Sequence, residues 1–443
     1  MEQLAINAGD TTFVLMSAAL VMFMIPGVAF FYAGMVGQKN VLNTLTQVLV
    51  VLAVVSIEWA LFGYSLAFGT DRGGLIGDLS MLGLNGVGFD INDKYAPTIP
   101  HMAFLVFQMM FAVITPALIS GSIVERMRFP AFVVFTLLWS TLVYNPLAHW
   151  VWGVGGWLRE MGALDFAGGT VVHISSGVAG LVACIMLGKR KKQARPHHLP
   201  MAVLGAAMLW FGWFGFNSGS ALAANSLAAS AFLVTHLSAA AGAGAWLAAE
   251  YIHTGKPSLL GLISGAIAGL VAITPAAGFV TSMSSIAIGL ISGFICYASV
   301  AILKVRLGYD DSLDAFGIHG IGGIWGAVAT GLFATTSVNS AGADGLFYGN
   351  SALMLPQLVG VIAAAAFSGI ATFAIIKVMS AFMAIRVEST DESGGLDISE
   401  HGQEAYDLTI GTALPVINER PLAWENSLEN SLNDRYHLNS NLQ

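Results

Sequence analysis

The chain has 443 residues, of which 56% are hydrophobic and only 10% are charged, and its formal net charge is −8. An ordinary soluble domain carries roughly 25% charged residues. This composition therefore excludes an ordinary soluble protein and favours a protein that crosses a membrane several times. A basic stripe with interleaved aromatic residues is absent from the sequence, which leaves nucleic-acid binding without support.

The charged residues are bunched, and long stretches between them carry no charge. These stretches are 11–38, 129–158, 166–188, 196–249, 257–303 and 345–376. A helix needs about 20 apolar residues to cross the hydrocarbon core of a bilayer, so the shorter stretches fit one span and the longest fit two. Together with the turn residues they predict an all-α membrane protein with eleven transmembrane helices, near 12–36, 43–68, 101–124, 130–150, 168–188, 200–224, 228–252, 258–275, 281–304, 315–335 and 352–384.

Lysine and arginine residues orient these helices, because cytoplasmic connections carry the excess of positive charge. Alternate connections hold Lys39, Arg126 and Arg128, the 189–195 cluster, Lys256, and Lys304 with Arg306. The intervening connections hold only Arg72, Lys94 and Arg159. The distribution predicts a multi-pass protein of the cell membrane, with its N-terminus outside and its C-terminus in the cytoplasm. The segment before the first span lacks a basic region, so we expect no cleavable signal peptide.

Residues 386–443 are polar and acidic, unlike the preceding chain. We therefore predict two parts, a transmembrane domain at 1–385 and a cytoplasmic tail at 386–443. Within the tail, 394–406 looks like a structured motif. The rest has too little apolar surface to offset the entropy of ordering, so weak order is expected there.

Two helix beginnings resemble each other. Asp165 precedes His173 by eight residues, and Asp311 precedes His319 by the same spacing. The two helices are the fifth and the tenth, an odd number of steps apart, so they cross the membrane in opposite directions. The pattern predicts two inverted five-helix repeats plus one extra helix, and substrate sites of such transporters lie near the midplane between the repeats.

His173 and His319 would meet near the axis that relates the repeats. A polar side chain inside an apolar helix tends to face a cavity or a partner, and two imidazoles in contact can share one proton. Such a pair could line a pore, relay a proton or bind a metal. Asp165 and Asp311 stand where a carboxylate can cap a helix, and we favour capping over direct cation coordination.

Other polar and aromatic groups are weaker candidates. Trp152 and the run from Trp213 to Ser220 combine ring faces with a hydroxyl, which suits a small ammonium-like cation. Glu58 places a carboxylate in the middle of the second helix, where it must be either neutral or paired with another group. An ionisable residue at such a position is a candidate functional residue. Two further groups are not candidate site residues. We expect the histidines at the span ends to be interfacial or solvated; they are His101, His149, His197 and His198. We interpret the two cysteines, Cys184 and Cys296, as small core residues.

Several blocks in order resemble the ammonium transporter family (Amt, Mep and Rh proteins), with the Amt branch the more similar. They are Ile25-Pro-Gly with Phe31-Tyr-Ala-Gly, Gly63-Tyr-Ser-Leu-Ala-Phe, Gly162-Ala-Leu-Asp-Phe-Ala-Gly-Gly-Thr-Val-Val-His-Ile, Gly212-Trp-Phe-Gly-Phe-Asn-Ser-Gly-Ser, Lys256-Pro-Ser-Leu-Leu-Gly, Phe316-Gly-Ile-His-Gly and Gly395-Leu-Asp. The resemblance implies an eleven-helix protomer in a homotrimer, each protomer with its own pore. It implies no cofactor, no metal and no enzymatic activity.

Site residues follow from the resemblance by motif. The implied roles are ammonium recruitment by Trp152, Ser220, Phe107 and Asp165; a stacked gate of Phe111 and Phe216; a pore and proton relay of His173 and His319; and pore support from Trp213, Asp311 and Tyr144. We expect electrogenic uptake of ammonium as ammonia and a relayed proton. The alternatives are a neutral ammonia channel and an ammonium sensor. A metal or redox enzyme and a CO2-conducting Rh-like channel are disfavoured.

Two positions depart from the family pattern. Glu58 stands where relatives are expected to have an apolar residue or Gln, so an altered buried network or proton route is possible there. Gln403 stands where the tail motif resembles His-Gly-Glu. The tail of the family couples protomers and receives the PII signalling protein, so Gln403 and the unusually long extension after Tyr406 put such regulation in doubt.

Overall fold

Eleven apolar helices follow one another through residues 5–406, the part of the chain that the computed structural model describes. They are α1 Ala8–Met35, α2 Gln38–Phe68, α3 His101–Ile123, α4 129–152, α5 Gly169–Leu187, α6 Leu199–Ala221, α7 Ser226–Thr254, α8 Leu259–Ile273, α9 Ser282–Leu307, α10 Phe316–Phe333 and α11 Ser351–Phe382. All eleven predicted helices are confirmed, with ends displaced by a few residues. Ten are long and apolar enough to span a membrane, and α8 has 15 residues, most of them buried among its neighbours.

Short polar elements connect and follow these helices. Antiparallel pairs join β1 Asp71–Arg72 to β2 Ile76–Gly77, and β3 Ile91–Asn92 to β4 Ala96–Pro100. Separate helical turns are Leu82–Leu84, Trp157–Glu160 and Leu346–Tyr348, and the tail contributes α12 Ser389–Gly394 and α13 Leu396–His401.

Polar residues fix the helix beginnings, because the first backbone N–H groups of a helix lack partners within it. The side chains of Asn7, Asn225, Ser258 and Thr281 accept such bonds at the starts of α1, α7, α8 and α9. The bodies of the helices are apolar on nearly all sides, as expected where one face meets other helices and the other meets lipid.

We assign α1–α5 and α6–α10 to the two predicted inverted repeats, and α11 packs against α5. The two repeats meet closely where α5 passes α10. A Cβ atom added to Gly177 would lie 2.2 Å from the backbone nitrogen of Gly320, so only glycine permits this approach. The small residues that follow each histidine therefore bring the two histidine-bearing helices into contact.

Five helices contain a π turn, a local widening that often marks functional sites. The turns are Trp59–Gly63 in α2, Ser140–Tyr144 in α4, Gly169–Ile174 in α5, Ser299–Leu303 in α9 and Phe316–Gly320 in α10. The turns of α4 and α9 correspond between repeats, as do those of α5 and α10. The turn of α2 has no counterpart, because α7 is α-helical throughout Ser226–Thr254.

A buried ion network joins three of the connections that the charge distribution places in the cytoplasm. Asp310 pairs with Arg190 at 2.8 Å and with Arg126 at 3.0 Å, and Arg190 also pairs with Glu125 at 2.6 Å. Burial raises the pKa of Asp310, but the hydrogen bonds and charge of Arg190, and then Arg126, lower it to about 2. The lysine and arginine cluster at 189–195 therefore contributes structure as well as charge.

The tail segment is fastened across the beginnings of α2 and α4. The backbone nitrogen of Asn43 donates to Asp397 at 2.8 Å, and that of Phe129 donates to Glu400 at 2.9 Å. The described residues up to Gln403 belong to one compact unit, and Glu404 begins a second. The weak order predicted for the tail beyond its motif falls on 407–443, which lie outside the described residues.

Candidate functional site: a histidine pair between two cavities

His173 and His319 lie in the π turns of α5 and α10 and are 1% and 6% exposed. Their Nδ1 atoms are 3.2 Å apart, and their rings are 5.2 Å apart between centroids with 20° between planes. The predicted contact between the histidines is confirmed. One Nδ1 donates while the other accepts, so the pair holds one proton between its two facing nitrogens.

The histidines line a narrow cavity of about 10 Å³ with apolar neighbours that include Phe31, Tyr32 and Ile267. This volume corresponds to about one water molecule. The ring of Trp213 stacks on His173 at 5.4 Å, and its indole nitrogen donates to Thr274 at 2.9 Å, which fixes the orientation of the indole. The Nε2 atom of His173 has no protein partner among the described residues and is free to bond a molecule in the cavity.

Asp165 caps α5 with both carboxylate oxygens. One oxygen accepts from the backbone nitrogens of Gly168 and Gly169 at 2.8 and 2.7 Å, and the other accepts from Thr170 and Val171 at 2.8 and 3.1 Å. Capping was the interpretation favoured from the sequence, and these bonds agree with it. The carboxylate thereby holds the π turn that carries His173.

Asp311 plays a related but weaker part at the beginning of α10. Its Oδ2 accepts from the backbone nitrogen of Phe316 at 2.8 Å, while Oδ1 is buried without a hydrogen-bond partner. The two aspartates of the Asp-x7-His repeat are therefore similar in position and unequal in the number of bonds they accept.

A larger cavity of about 210 Å³, here called the vestibule, contains Trp152 and Ser220. The Trp152 indole nitrogen donates to the backbone oxygen of Asp165 at 2.9 Å, so the capped segment also orients this ring. The Ser220 hydroxyl donates to the backbone oxygen of Phe216 at 2.9 Å. Because its one hydrogen is used there, Ser220 offers lone pairs to the vestibule and can accept a bond from a ligand.

Phe111 and Phe216 separate the two cavities. Their ring centroids are 4.4 Å apart, and both rings are buried. Phe111 lines the vestibule, whereas Phe216 lines the histidine cavity. The rings expected to form a gate thus lie between the vestibule and the histidines.

Several residues lie elsewhere than the sequence suggested. Phe107 is fully buried behind Phe111, 4.9 Å away in an edge-on arrangement, and lines neither cavity. Tyr144, expected to support the pore, is buried with its ring 6.2 Å from that of Trp59, and its role there stays a prediction. His149, expected at the interface or in solvent, is fully buried, with its ring nitrogens 2.9 Å from the Ala67 oxygen and 3.0 Å from Asp71.

His101 was likewise expected near solvent and is buried instead. Its Nε2 lies 2.5 Å from the Tyr64 hydroxyl and 3.1 Å from the Asn92 amide. Such pairing offsets the cost of placing an imidazole in the protein interior. The expectation failed because residues at span ends here are covered by the strand-containing connection between α2 and α3.

Two cations at the vestibule were not anticipated as part of the site. Lys94 and Arg159 both line the cavity. Arg159 donates to the backbone oxygen of Trp152 at 2.6 Å and lies 5.9 Å from the ring centre of Tyr95. In the sequence they stood out only as two of the three basic residues on their side of the membrane.

Comparison with known proteins gives a consistent result. A family model described as the Ammonium Transporter Family matches residues 12–406. An ammonium transporter of Bacillus subtilis is 58% identical over 400 residues, covering 90% of this chain and 98% of the relative. Ammonium transporter Amt1 of Archaeoglobus fulgidus is 46% identical over 402 residues, covering 90% and 99%.

Solved structures agree with this comparison. The crystal structure of Saccharomyces cerevisiae Mep2 superposes with a TM-score of 0.82 at 38% identity, covering 87% of this chain and 90% of that one. A structure described as a Sensor Amt Protein superposes with a TM-score of 0.81 at 30% identity, covering 89% and 98%.

Proposed function

This chain belongs to the ammonium transporter family, and from that premise we propose that it transports ammonium, which crosses it in two parts, as ammonia and a proton. The observation that carries the proposal is the histidine cavity, which has a volume of about 10 Å³ and lies behind the Phe111–Phe216 ring pair. A hydrated cation does not fit there, and a bare cation among apolar side chains is costly. Neutral ammonia avoids that cost.

Recruitment takes place in the vestibule. Ser220 accepts a hydrogen bond from ammonium, and the face of Trp152 attracts its charge. Potassium has no hydrogen to donate, so the Ser220 hydroxyl favours ammonium over it. Lys94 and Arg159 repel any cation at the mouth of the vestibule, so the site depends on these short-range contacts rather than on long-range attraction.

Deprotonation occurs beside Trp152 and the segment that Asp165 caps, where water in the vestibule takes the proton from ammonium. Ammonia then passes the Phe111–Phe216 ring pair and reaches the histidines. The proton is relayed through the His173–His319 pair. One ring gains a proton at Nε2 and passes the shared proton from its Nδ1 to the Nδ1 of the other ring, which releases its own Nε2 proton. Transport of ammonia together with the proton makes uptake electrogenic.

The assembly and orientation are further parts of the proposal. We propose a homotrimer with one pore in each protomer, in the cell membrane, with the N-terminus outside and the C-terminus in the cytoplasm. Residues 1–385 are then the transport domain and 386–443 the cytoplasmic tail, at which a PII-type regulator could bind. The fastening of α13 to the beginnings of α2 and α4 supports a tail able to act on the helices.

A second candidate function is sensing. The likeness to a structure described as a Sensor Amt Protein favours considering it, because the same fold could report ammonium to a partner. A passive ammonia channel is the third form, and it differs from the first in carrying no charge.

Currents on solid-supported membranes test the proposal. Proteoliposomes receive an ammonium pulse, with potassium as the ionic control and His236→Ala as a matched variant, since His236 lies on α7 and lines neither the vestibule nor the histidine cavity. Wild type and His236→Ala should give ammonium currents, and the His173→Ala/His319→Ala double variant should not. Wild type without current or flux would refute transport, and if it still bound ammonium, sensing would be favoured. An equal current in the double variant would refute the relay.

A further inference from the structure

Glu58 lies beside the one π turn of the described helices that has no counterpart in the other repeat. It is 2% exposed and immediately precedes the Trp59–Gly63 turn of α2. Its carboxyl group lies against that turn, since a Cβ added to Gly63 would be 2.5 Å from Oε2. Glycine at this position therefore leaves room for the carboxyl group beside its own helix.

The carboxyl group reaches from α2 to the π turn of α4. Oε1 accepts from the side-chain amide of Asn145 at 2.7 Å and lies 3.2 Å from the hydroxyl of Thr141. Thr141 lies inside the Ser140–Tyr144 turn and Asn145 directly follows it. One oxygen atom thus holds both sides of the α4 turn against the α2 turn.

The surroundings of Glu58 favour a neutral carboxyl group. Within residues 5–406 no lysine, arginine or histidine pairs with it, and an ionised carboxylate without a partner is costly inside a membrane. The Thr141 hydroxyl has one hydrogen but also lies 2.8 Å from the backbone oxygen of Leu137. When that hydrogen serves Leu137, a proton on the carboxyl group completes the contact with Thr141.

The held turn sets the direction of the recruitment side chain. An α-helix turns about 100° per residue, so the extra residue of a π turn determines where every following side chain points. Eight residues follow the turn of α4, and Trp152 is the last of them. A change in this turn would rotate Trp152 away from its bond to Asp165.

We propose that Glu58, in its protonated form, is a positioning residue for ammonium recruitment. It locks the π turn of α4 and thereby fixes the orientation of Trp152, although it touches no cavity that ammonium enters. The inference rests on the proposed recruitment at Trp152. It assigns to the extra π turn of α2 a role in orienting Trp152, a vestibule residue that the same repeat contributes at the end of α4.

The test is the dependence of the transport current on ammonium concentration. Glu58→Gln is uncharged, has the same length and can still accept from Asn145, so its KM should stay within about twofold of wild type. Glu58→Leu leaves the Asn145 amide without its partner and should raise the KM about tenfold, with the maximal current retained. Glu250→Gln, at the end of α7, serves as the carboxylate control and should keep the wild-type KM.

A second variant, Thr141→Val, keeps both the carboxyl group of Glu58 and Asn145, and it provides the test if Glu58→Leu does not assemble. Thr141→Val should also raise the KM, by about threefold. An unchanged KM in the assembled Glu58→Leu variant, or in Thr141→Val if that variant alone assembles, would overturn the inference. So would a Glu58→Gln variant as impaired as Glu58→Leu, because the charge would then matter. A wild type without current would instead refute the proposed function itself.

Discussion

Replacing Asp165 distinguishes two roles that its carboxylate could have, capping the beginning of α5 and acting on ammonium directly. The structure gives it four backbone N–H donors, at 2.7 to 3.1 Å. A hydrogen bond to a charged group contributes about 1.5–3 kcal/mol, and a buried donor left without a partner is costly. Allowing for relaxation, Asp165→Ala should lower the free energy of unfolding by about 4–6 kcal/mol.

Asp165→Asn should lower the free energy of unfolding by about half as much as Asp165→Ala, roughly 2–3 kcal/mol, because one oxygen can still accept from Gly168 and Gly169. The new NH2 group would face the N–H groups of Thr170 and Val171. The assay is thermal unfolding of the purified protein in detergent, followed by tryptophan fluorescence and paired with ammonium flux. Asp93→Asn, at an exposed position, should leave both unchanged. If Asp165→Asn unfolded at the wild-type temperature but lost transport, the carboxylate would act on ammonium directly and the capping argument would be refuted.

Two further predictions concern recruitment and acid stability. Trp152→Leu should raise the KM for ammonium about 2- to 30-fold, the equivalent of a cation–π attraction of about 0.5–2 kcal/mol. The measurement is the current as a function of ammonium concentration, and a wild-type KM in this variant would contradict the prediction. Asp310→Asn should destabilise the protein at pH 7, because it leaves the buried guanidinium group of Arg126 without a carboxylate partner and Arg190 with Glu125 alone. The pKa of Asp310 is lowered to about 2, so its stabilisation is complete above its ordinary value near 4 and is lost as the pH falls from about 4 to 2. Unfolding temperatures of wild type should fall across that interval and those of Asp310→Asn should change less; parallel curves would count against the ion network.

The helices and the histidine contact were predictable because their causes are local or repeated in the sequence. Uncharged stretches determine where spans can lie, and the Asp-x7-His repeat indicates that His173 and His319 occupy related positions. The capping role of Asp165 also follows from its place just before a helix. These features need only the spacing of residues along the chain.

The π turns and the partners of Glu58 could not be predicted in the same way. A π turn adds one residue to a helix without a sequence signature, and the position of Asn145 opposite Glu58 depends on how α2 packs against α4. Phe107 and Phe111 are four residues apart on one helix face, yet only Phe111 reaches the vestibule. Which of two such rings meets a cavity depends on the neighbouring helices.

The ratio of charge to ammonium tests the central claim most directly. Current and ammonium uptake would be recorded together in the same proteoliposomes under a fixed membrane potential, for wild type, His236→Ala and the His173→Ala/His319→Ala double variant. Passage of ammonia with a relayed proton predicts equal numbers of charges and nitrogens in wild type and His236→Ala, and loss of the charge movement in the double variant. Ammonium uptake without charge in wild type would contradict the account and identify a neutral ammonia channel.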